Sequence, residues 1–322
     1  MNYNHAFHAG NFAGVHKHVV LTRILDYLRQ KPQAFRVIDT HAGCGRYDLF
    51  GAEAERSQEW RGGIGRIFAE LRTNTYVQDV VRQDLVEQDL VQQGLVRDLP
   101  GDDAAQNDSA ASLLAPYLEA VAALNPDGNL RTYPGSPLIA LALMRRQDRL
   151  IACERELRAA ALLKASLKDE PRAKVLSLDG WMALNANVPP KERRGVVLID
   201  PPYEENDDFS RLPASLALAH GKWPTGIYLL WYPIKQRDAP DALARRLRKL
   251  ALPKILRCEI TLAAPRGDAG LIGSGLIVVN PPYVLQDELR IILPVLGRCL
   301  LGDVAHRLDW LAPDTPRVRR EG

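Results

Sequence analysis

The chain has 322 residues, of which 46% are hydrophobic and 25% charged, the balance of an ordinary globular protein able to bury a large core. A net charge of +3 excludes a globally cationic surface, so a nucleic-acid partner would have to be met by local basic patches. The four cysteines, Cys44, Cys153, Cys258 and Cys299, have no paired spacing, which argues against a zinc site or a disulfide framework and fits a reducing cytoplasm.

The first residues are polar and carry His5, His8, His16 and His18. No apolar run reaches the ~18 residues of a spanning helix, so neither a signal peptide nor a membrane segment is expected. From Val15 through Val19, Ile24, Leu25 and Leu28, apolar residues recur near helical spacing until Pro32, which predicts a helix over about 13–30. Residues 34–39 form a short apolar run that ends in a loop containing Gly43 and Gly45, read as the first buried strand. The stretch 46–149 exceeds what one crossover requires and is read as an inserted helical subdomain, leaving 1–45 and 150–322 as the main domain. Inside it a five-residue repeat runs from Gln78 to Val96 within a low-complexity excursion at about 73–112. Five residues advance ~140° around a helix, so the repeat makes no apolar stripe and is read as a surface excursion. Four more apolar runs, at 150–153, 174–178, 195–199 and 226–231, alternate with helix-like segments and predict a parallel sheet covered on both faces. Residues 255–262 and 276–279 are joined by a glycine-rich stretch too short for a crossover helix, which predicts an antiparallel hairpin at the sheet edge.

The segment with the most chemistry is Asp200-Pro201-Pro202-Tyr203, directly after the run 195–199, where open α/β sheets place their ligands. An exocyclic amino group is a poor nucleophile because its lone pair is delocalised. Asp200 and the Pro201 carbonyl can accept its two hydrogens and draw the nitrogen toward tetrahedral geometry, while Tyr203 can stack on a base swung out of its helix. A second copy, Asn280-Pro281-Pro282-Tyr283, also follows an apolar run. Its strand should run antiparallel and end at the opposite rim, so chemistry is assigned to Asp200 and a structural turn to Asn280.

The loop from Asp39 to Tyr47 brings glycines to the end of the first strand without a phosphate-cradling pattern, which favours a nucleoside-type cofactor lacking phosphates. Glu154 is either a ribose-binding acid or a first-turn helix acid, and Asp179-Gly180 either accepts from an adenine amino group or ends a strand. Ser136, followed by Pro137, reads as a helix N-cap. The N-terminal histidines lack the Cys or Asp that would complete a ligand set, so no metal is expected; Lys17 and His18 could meet phosphate or cofactor.

Together these segments resemble the bacterial 23S ribosomal RNA adenine-N6 methyltransferases that act alone on one adenine of the large-subunit RNA. The resemblance rests on Tyr3 with the run His5 to Asn11, on Lys17-His18, on Asp39 to Gly43, on Tyr133 to Ala140, on Arg194-Gly195, on Ile199 to Glu204 and on Trp231-Tyr232-Pro233. It implies a class I Rossmann-like α/β fold, with a mostly parallel seven-stranded sheet, a C-terminal antiparallel hairpin and a helical insertion after strand one. It implies S-adenosylmethionine contacts at His18, His41, Ser136, Glu154, Asp179, Gly180 and Asp200, and substrate contacts at Tyr3 and Lys17. The implied catalytic set is Asp200, Pro201 and Tyr203. The implied partner is 23S ribosomal RNA, protein-free or in an early assembly intermediate, modified in the cytoplasm by a monomer without a metal. Phe12, Gly14, His16, Cys44 and the long excursion depart from the family pattern.

Overall fold

The computed structural model describes residues 7–72, 103–203, 208–263, 270–302 and 304–313; Tyr3 and the five-residue repeat lie outside the described residues. The first helix, α1 (Phe12–Arg29), starts where Asn11 takes the Gly14 amide on its side chain, at 2.8 Å, and ends with Arg29 near the negative end of the helix dipole. Its apolar residues are buried almost without a break.

The sheet contains β1 (Arg36–Asp39), β4 (Arg149–Cys153), β5 (Ala173–Leu176), β6 (Gly195–Ile199), β7 (Ile227–Ile234), β8 (Ile255–Leu262), β9 (Gly273–Val279) and β10 (Val304–Ala312). A separate two-stranded ribbon pairs β2 (Arg46–Asp48) with β3 (Thr132–Pro134). The strand order is β10-β8-β9-β7-β6-β1-β4-β5. The strands from β5 to β7 are parallel, and β9 runs against both β7 and β8. The expected class is therefore present with two refinements. The hairpin's second strand slots inside the sheet between β7 and β8, and an eighth strand, β10, takes the edge.

Side chains alternate between two cores. In β6, Val196 and Leu198 face α1 and the helix Leu285–Leu301, whereas Val197 and Ile199 face the helices Gly180–Ala186, Asp208–Lys222 and Asp238–Lys249. Both faces are covered, so the strand is apolar at every position. The described residues of 46–149 share the first of these cores: Trp60, Ile64, Leu114, Tyr117 and Tyr133 pack in one cluster with α1 and the helix Leu285–Leu301. The helix Ser136–Leu143 packs on α1 and against β1 and β4, the place of the crossover helix after β1. Among the described residues no helix is long and apolar enough to cross a membrane.

Candidate active site

From β1 the chain moves outward through β4 and β5, then returns to the other side of β1 for β6. This reversal leaves a crevice beyond the strand ends, and it sets the end of β1 beside the end of β6. Asp39 is in register with Leu198, the Thr40 amide bonds to the Leu198 carbonyl at 3.1 Å, and Asp200 follows one residue beyond Ile199. A cavity of about 1350 Å³ opens here, larger than the ~300–1,000 Å³ that one small ligand fills. Of the residues singled out in the sequence, Lys17, His18, His41, Ser136, Asp200 and Tyr203 line it.

Three consecutive residues of α1 reach three different parts of the molecule, because successive helical side chains are turned by ~100°. His16 reaches Ser274 on β9, with Nδ1 3.0 Å from Oγ. Lys17 donates its ammonium to Asp200 Oδ2. His18 Nδ1 lies 2.8 Å from the Tyr133 hydroxyl, which lies 3.1 Å from the Tyr117 hydroxyl on the helix Asp103–Ala122. The Lys17 and Asp200 side chains are only 12% and 6% exposed. A carboxylate so buried needs a partner, and Lys17 supplies it on one oxygen while Oδ1 stays available as an acceptor.

Asp39 is buried at the end of β1, behind the cavity-lining Ser136, and its carboxyl is pushed up to about 6 by loss of water, against the Ser136 hydroxyl that donates to Oδ2 at 2.6 Å. Ser136 thus corrects the N-cap expectation: Gly135 occupies the cap, and the serine hydroxyl of the first helical residue serves Asp39 instead. Burial lowers His41 to about 4. The Thr40 hydroxyl donates to the Leu198 carbonyl at 2.9 Å, so its oxygen accepts from His41 Nδ1 at 2.8 Å. The neutral ring then turns Nε2 onto Gly180, where a Cβ would sit 2.4 Å from that nitrogen and 2.5 Å from the Thr40 carbonyl. Only glycine fits there.

Glu154, Asp179 and Gly180 do not line the cavity. They stand beyond β4 and β5, along the same strand-end rim that Asp39 closes at β1. Glu154 accepts the Gly43 amide at 2.8 Å and the Glu156 amide at 2.8 Å, which ties down the glycine loop whose Gly43 and Gly45 have φ of 63° and 79°. Asp179 caps the helix Gly180–Ala186 through the Trp181 and Met182 amides, at 3.0 and 3.2 Å. Acids at three adjacent strand ends suit a ligand rich in hydroxyl and amino donors better than a phosphate.

Tyr203 adopts φ 53°, a region that costs a bulky residue of order 1–3 kcal/mol and persists only where neighbours enforce it. Its hydroxyl donates to the Trp231 carbonyl at 2.5 Å, and its ring packs 4.6 Å from Phe209 and 5.7 Å from Trp231, centroid to centroid. Ile199 pairs with Leu230, so Trp231 lies beside Asp200, and it lines the cavity with Pro202 and Pro233. Pro201 is buried behind this wall. At the opposite rim Asn280 donates to the carbonyls of Pro224 and Gly226, at 2.7 and 2.9 Å, the structural turn expected of it.

Asp39, Tyr133, Trp231 and Ser274 were not singled out as site residues. Asp39 had a signal, an acid ending the first strand. Ser274 had none, because the side chains it joins are far away in sequence, His16 by 258 positions and Trp231 by 43.

A family model described as "Ribosomal RNA large subunit methyltransferase D, RlmJ" matches residues 32–101 and 90–312. Two proteins named ribosomal RNA large subunit methyltransferase J are similar over nearly the full chain. That of Haemophilus influenzae is 34% identical over 317 residues, covering 98% of this chain and 100% of the relative. That of Escherichia coli is 35% identical over 316 residues, with the same coverage. Among solved structures, protein LPL1258 of Legionella pneumophila superposes with a TM-score of 0.77 at 31% identity, covering 94% of this chain and 98% of that one.

Proposed function

The chain belongs to the RlmJ family of large-subunit ribosomal RNA methyltransferases, and from that premise we propose that it methylates the exocyclic N6 of one adenine in 23S ribosomal RNA, using S-adenosylmethionine. The observation that carries the N6 reading is Asp200: buried at the switch point of the sheet, neutralised by Lys17 on one oxygen, with an aromatic ring beside it. His18, His41, Ser136, Glu154, Asp179 and Gly180 would hold the cofactor, whose ribose hydroxyls and amino groups suit the row of rim acids and whose lack of phosphates suits the glycine loop. Bound there, S-adenosylmethionine supplies a methyl group on a positively charged sulfur.

The chain's own residues do the rest. Asp200 Oδ1 and the Pro201 carbonyl accept the amino hydrogens of the base, and the carboxylate stabilises the positive charge that develops on the nitrogen. Lys17 holds Asp200 in place and, with Tyr3, meets the nucleotide. Tyr203 stacks on the extruded base; the cavity's size leaves room for base and cofactor together. The stretch 46–149 is read as an insertion after β1 that is built into the α1 core and returns to the sheet through the helix Ser136–Leu143, and the enzyme acts as a cytoplasmic monomer on RNA that is protein-free or in early assembly.

Labelled methyl should pass from S-adenosylmethionine to a protein-free 23S RNA transcript, with N6-methyladenosine recovered after digestion. Label in duplex DNA or in a glutamine-bearing release factor, with none in the RNA, would overturn the substrate. Labelled RNA lacking N6-methyladenosine would overturn the chemistry.

A further inference from the structure

His16 takes no part in the proposed reaction. It is fully buried on α1, with Nδ1 3.0 Å from Ser274 Oγ and Nε2 3.8 Å from Cys258 Sγ. The same serine oxygen receives the Trp231 indole N–H at 3.0 Å. An indole nitrogen only donates, so Ser274 Oγ accepts from Trp231 and keeps its proton and a second lone pair for His16 Nδ1. Either neutral tautomer of the imidazole closes this contact, with Nε2 facing the Cys258 sulfur. Burial pushes His16 down to about 3, so the ring is neutral under ordinary conditions.

The chain of contacts then reaches the cavity. Ser274 lies opposite Pro233, and side chains of paired residues and of positions two apart share one sheet face, so Ser274 and the Trp231 indole meet there. Tyr203, at a left-handed φ of 53°, is held by Trp231 twice, through its hydroxyl on the Trp231 carbonyl and through its ring against the indole. We propose that His16 and Ser274 are positioning residues which, by aiming Trp231, hold Tyr203 in the pose that receives the target base. This rests on the assignment of Tyr203 as the stacking plate.

The test uses the full-length protein with Ser274→Ala, Ser274→Thr and His16→Leu. In ¹⁵N-tryptophan spectra the Trp231 indole resonance, assigned by its loss in Trp231→Phe, should move in Ser274→Ala. Single-turnover methylation of 23S RNA at saturating cofactor should fall roughly tenfold, the worth of about one hydrogen bond. S-adenosylhomocysteine affinity by calorimetry should stay within about twofold, because no cofactor contact is touched. Ser274→Thr restores the hydroxyl and should recover most of the rate. His16→Leu keeps the serine but removes its imidazole partner, and should give a smaller loss of the same kind even if Ser274→Ala does not fold. Wild-type turnover in the folded variants overturns the proposal, as does a loss of S-adenosylhomocysteine affinity in step with turnover, which would mark general damage. If Tyr203→Ala itself leaves methylation unchanged, the base-plate assignment falls first and this proposal with it.

Discussion

Two segments of the chain spell almost the same word, Asp200-Pro201-Pro202-Tyr203 and Asn280-Pro281-Pro282-Tyr283, and the fold gives them opposite fates. Each follows an apolar strand, and each places one residue at positive φ, Tyr203 in the first and Asn280 in the second. The first ends a parallel strand at the switch point, where its acid is buried against Lys17 and its tyrosine is locked onto Trp231. The second ends the reversed strand β9. Its asparagine is spent on two loop carbonyls, and Tyr283 is 82% exposed, with its ring edge-on to Tyr27. The letters specify a rigid strand exit; strand direction decides whether that exit faces a cavity or solvent.

Paired variants put this contrast under strain, and the largest difference is expected at the first residue of each segment. Asp200→Ala should lower kcat by roughly 10²–10³-fold, the usual cost of removing one preorganised group that stabilises developing charge. The long stem of Lys17 lets its ammonium find water, so S-adenosylhomocysteine binding, measured by calorimetry, should persist within a few-fold. Asn280→Ala should leave kcat within about twofold and instead lower chemical-denaturation stability by about 1–2 kcal/mol, because two carbonyls lose their donor. Equal kinetic losses in the two variants would abolish the distinction between the rims.

The tyrosines come next. Base-on-aromatic stacking is worth about 1–3 kcal/mol, so Tyr203→Ala should reduce kcat/KM for RNA by roughly 5- to 150-fold. Tyr283→Ala should leave it within about twofold. A large RNA defect in Tyr283→Ala would mean that the outer rim also touches the substrate, and the two segments would then share one function.

What could be seen in the sequence divides along the same physical line. The central strands were legible because burial on both faces makes them apolar throughout, as in Gly195–Ile199. Strand β10 was not, because an edge strand is half exposed and mixes Val304, His306, Arg307 and Asp309. It is fastened by Arg257, which donates twice to Asp309 at 2.8 and 2.7 Å, a pairing no local pattern announces. The acid-Pro-Pro-Tyr segment was legible because its chemistry and its strand are contiguous. Ser136 was misread as a cap because its partner, Asp39, lies 97 positions away.

The smallest effect is a pH dependence that also distinguishes the rims. His41 at the cavity has its pKa lowered by burial to about 4, and His220, packed on Tyr228 at the start of β7, is lowered by the same cause. A histidine whose folded pKa is depressed contributes stability above its unfolded pKa of about 6.5, and loses it as pH falls toward the folded value. Between pH 6.5 and about 4 the wild-type protein should therefore lose stability that His41→Asn does not. Discounted for the part of His41 open to the cavity, the difference is roughly 2 kcal/mol. His220→Asn should flatten the profile by less. Asp39 acts with the opposite sign: its raised carboxyl favours the folded state below about pH 4, and that contribution is lost as pH rises through about 6. Asp39→Asn should accordingly gain on the wild type across that interval, and the gain should be greater when Ser136→Ala removes the hydrogen bond that now restrains the shift. Urea midpoints of the four variants measured from pH 4 to 7.5 decide the point: a His220→Asn profile flatter than that of His41→Asn would place the stronger desolvation at the outer rim.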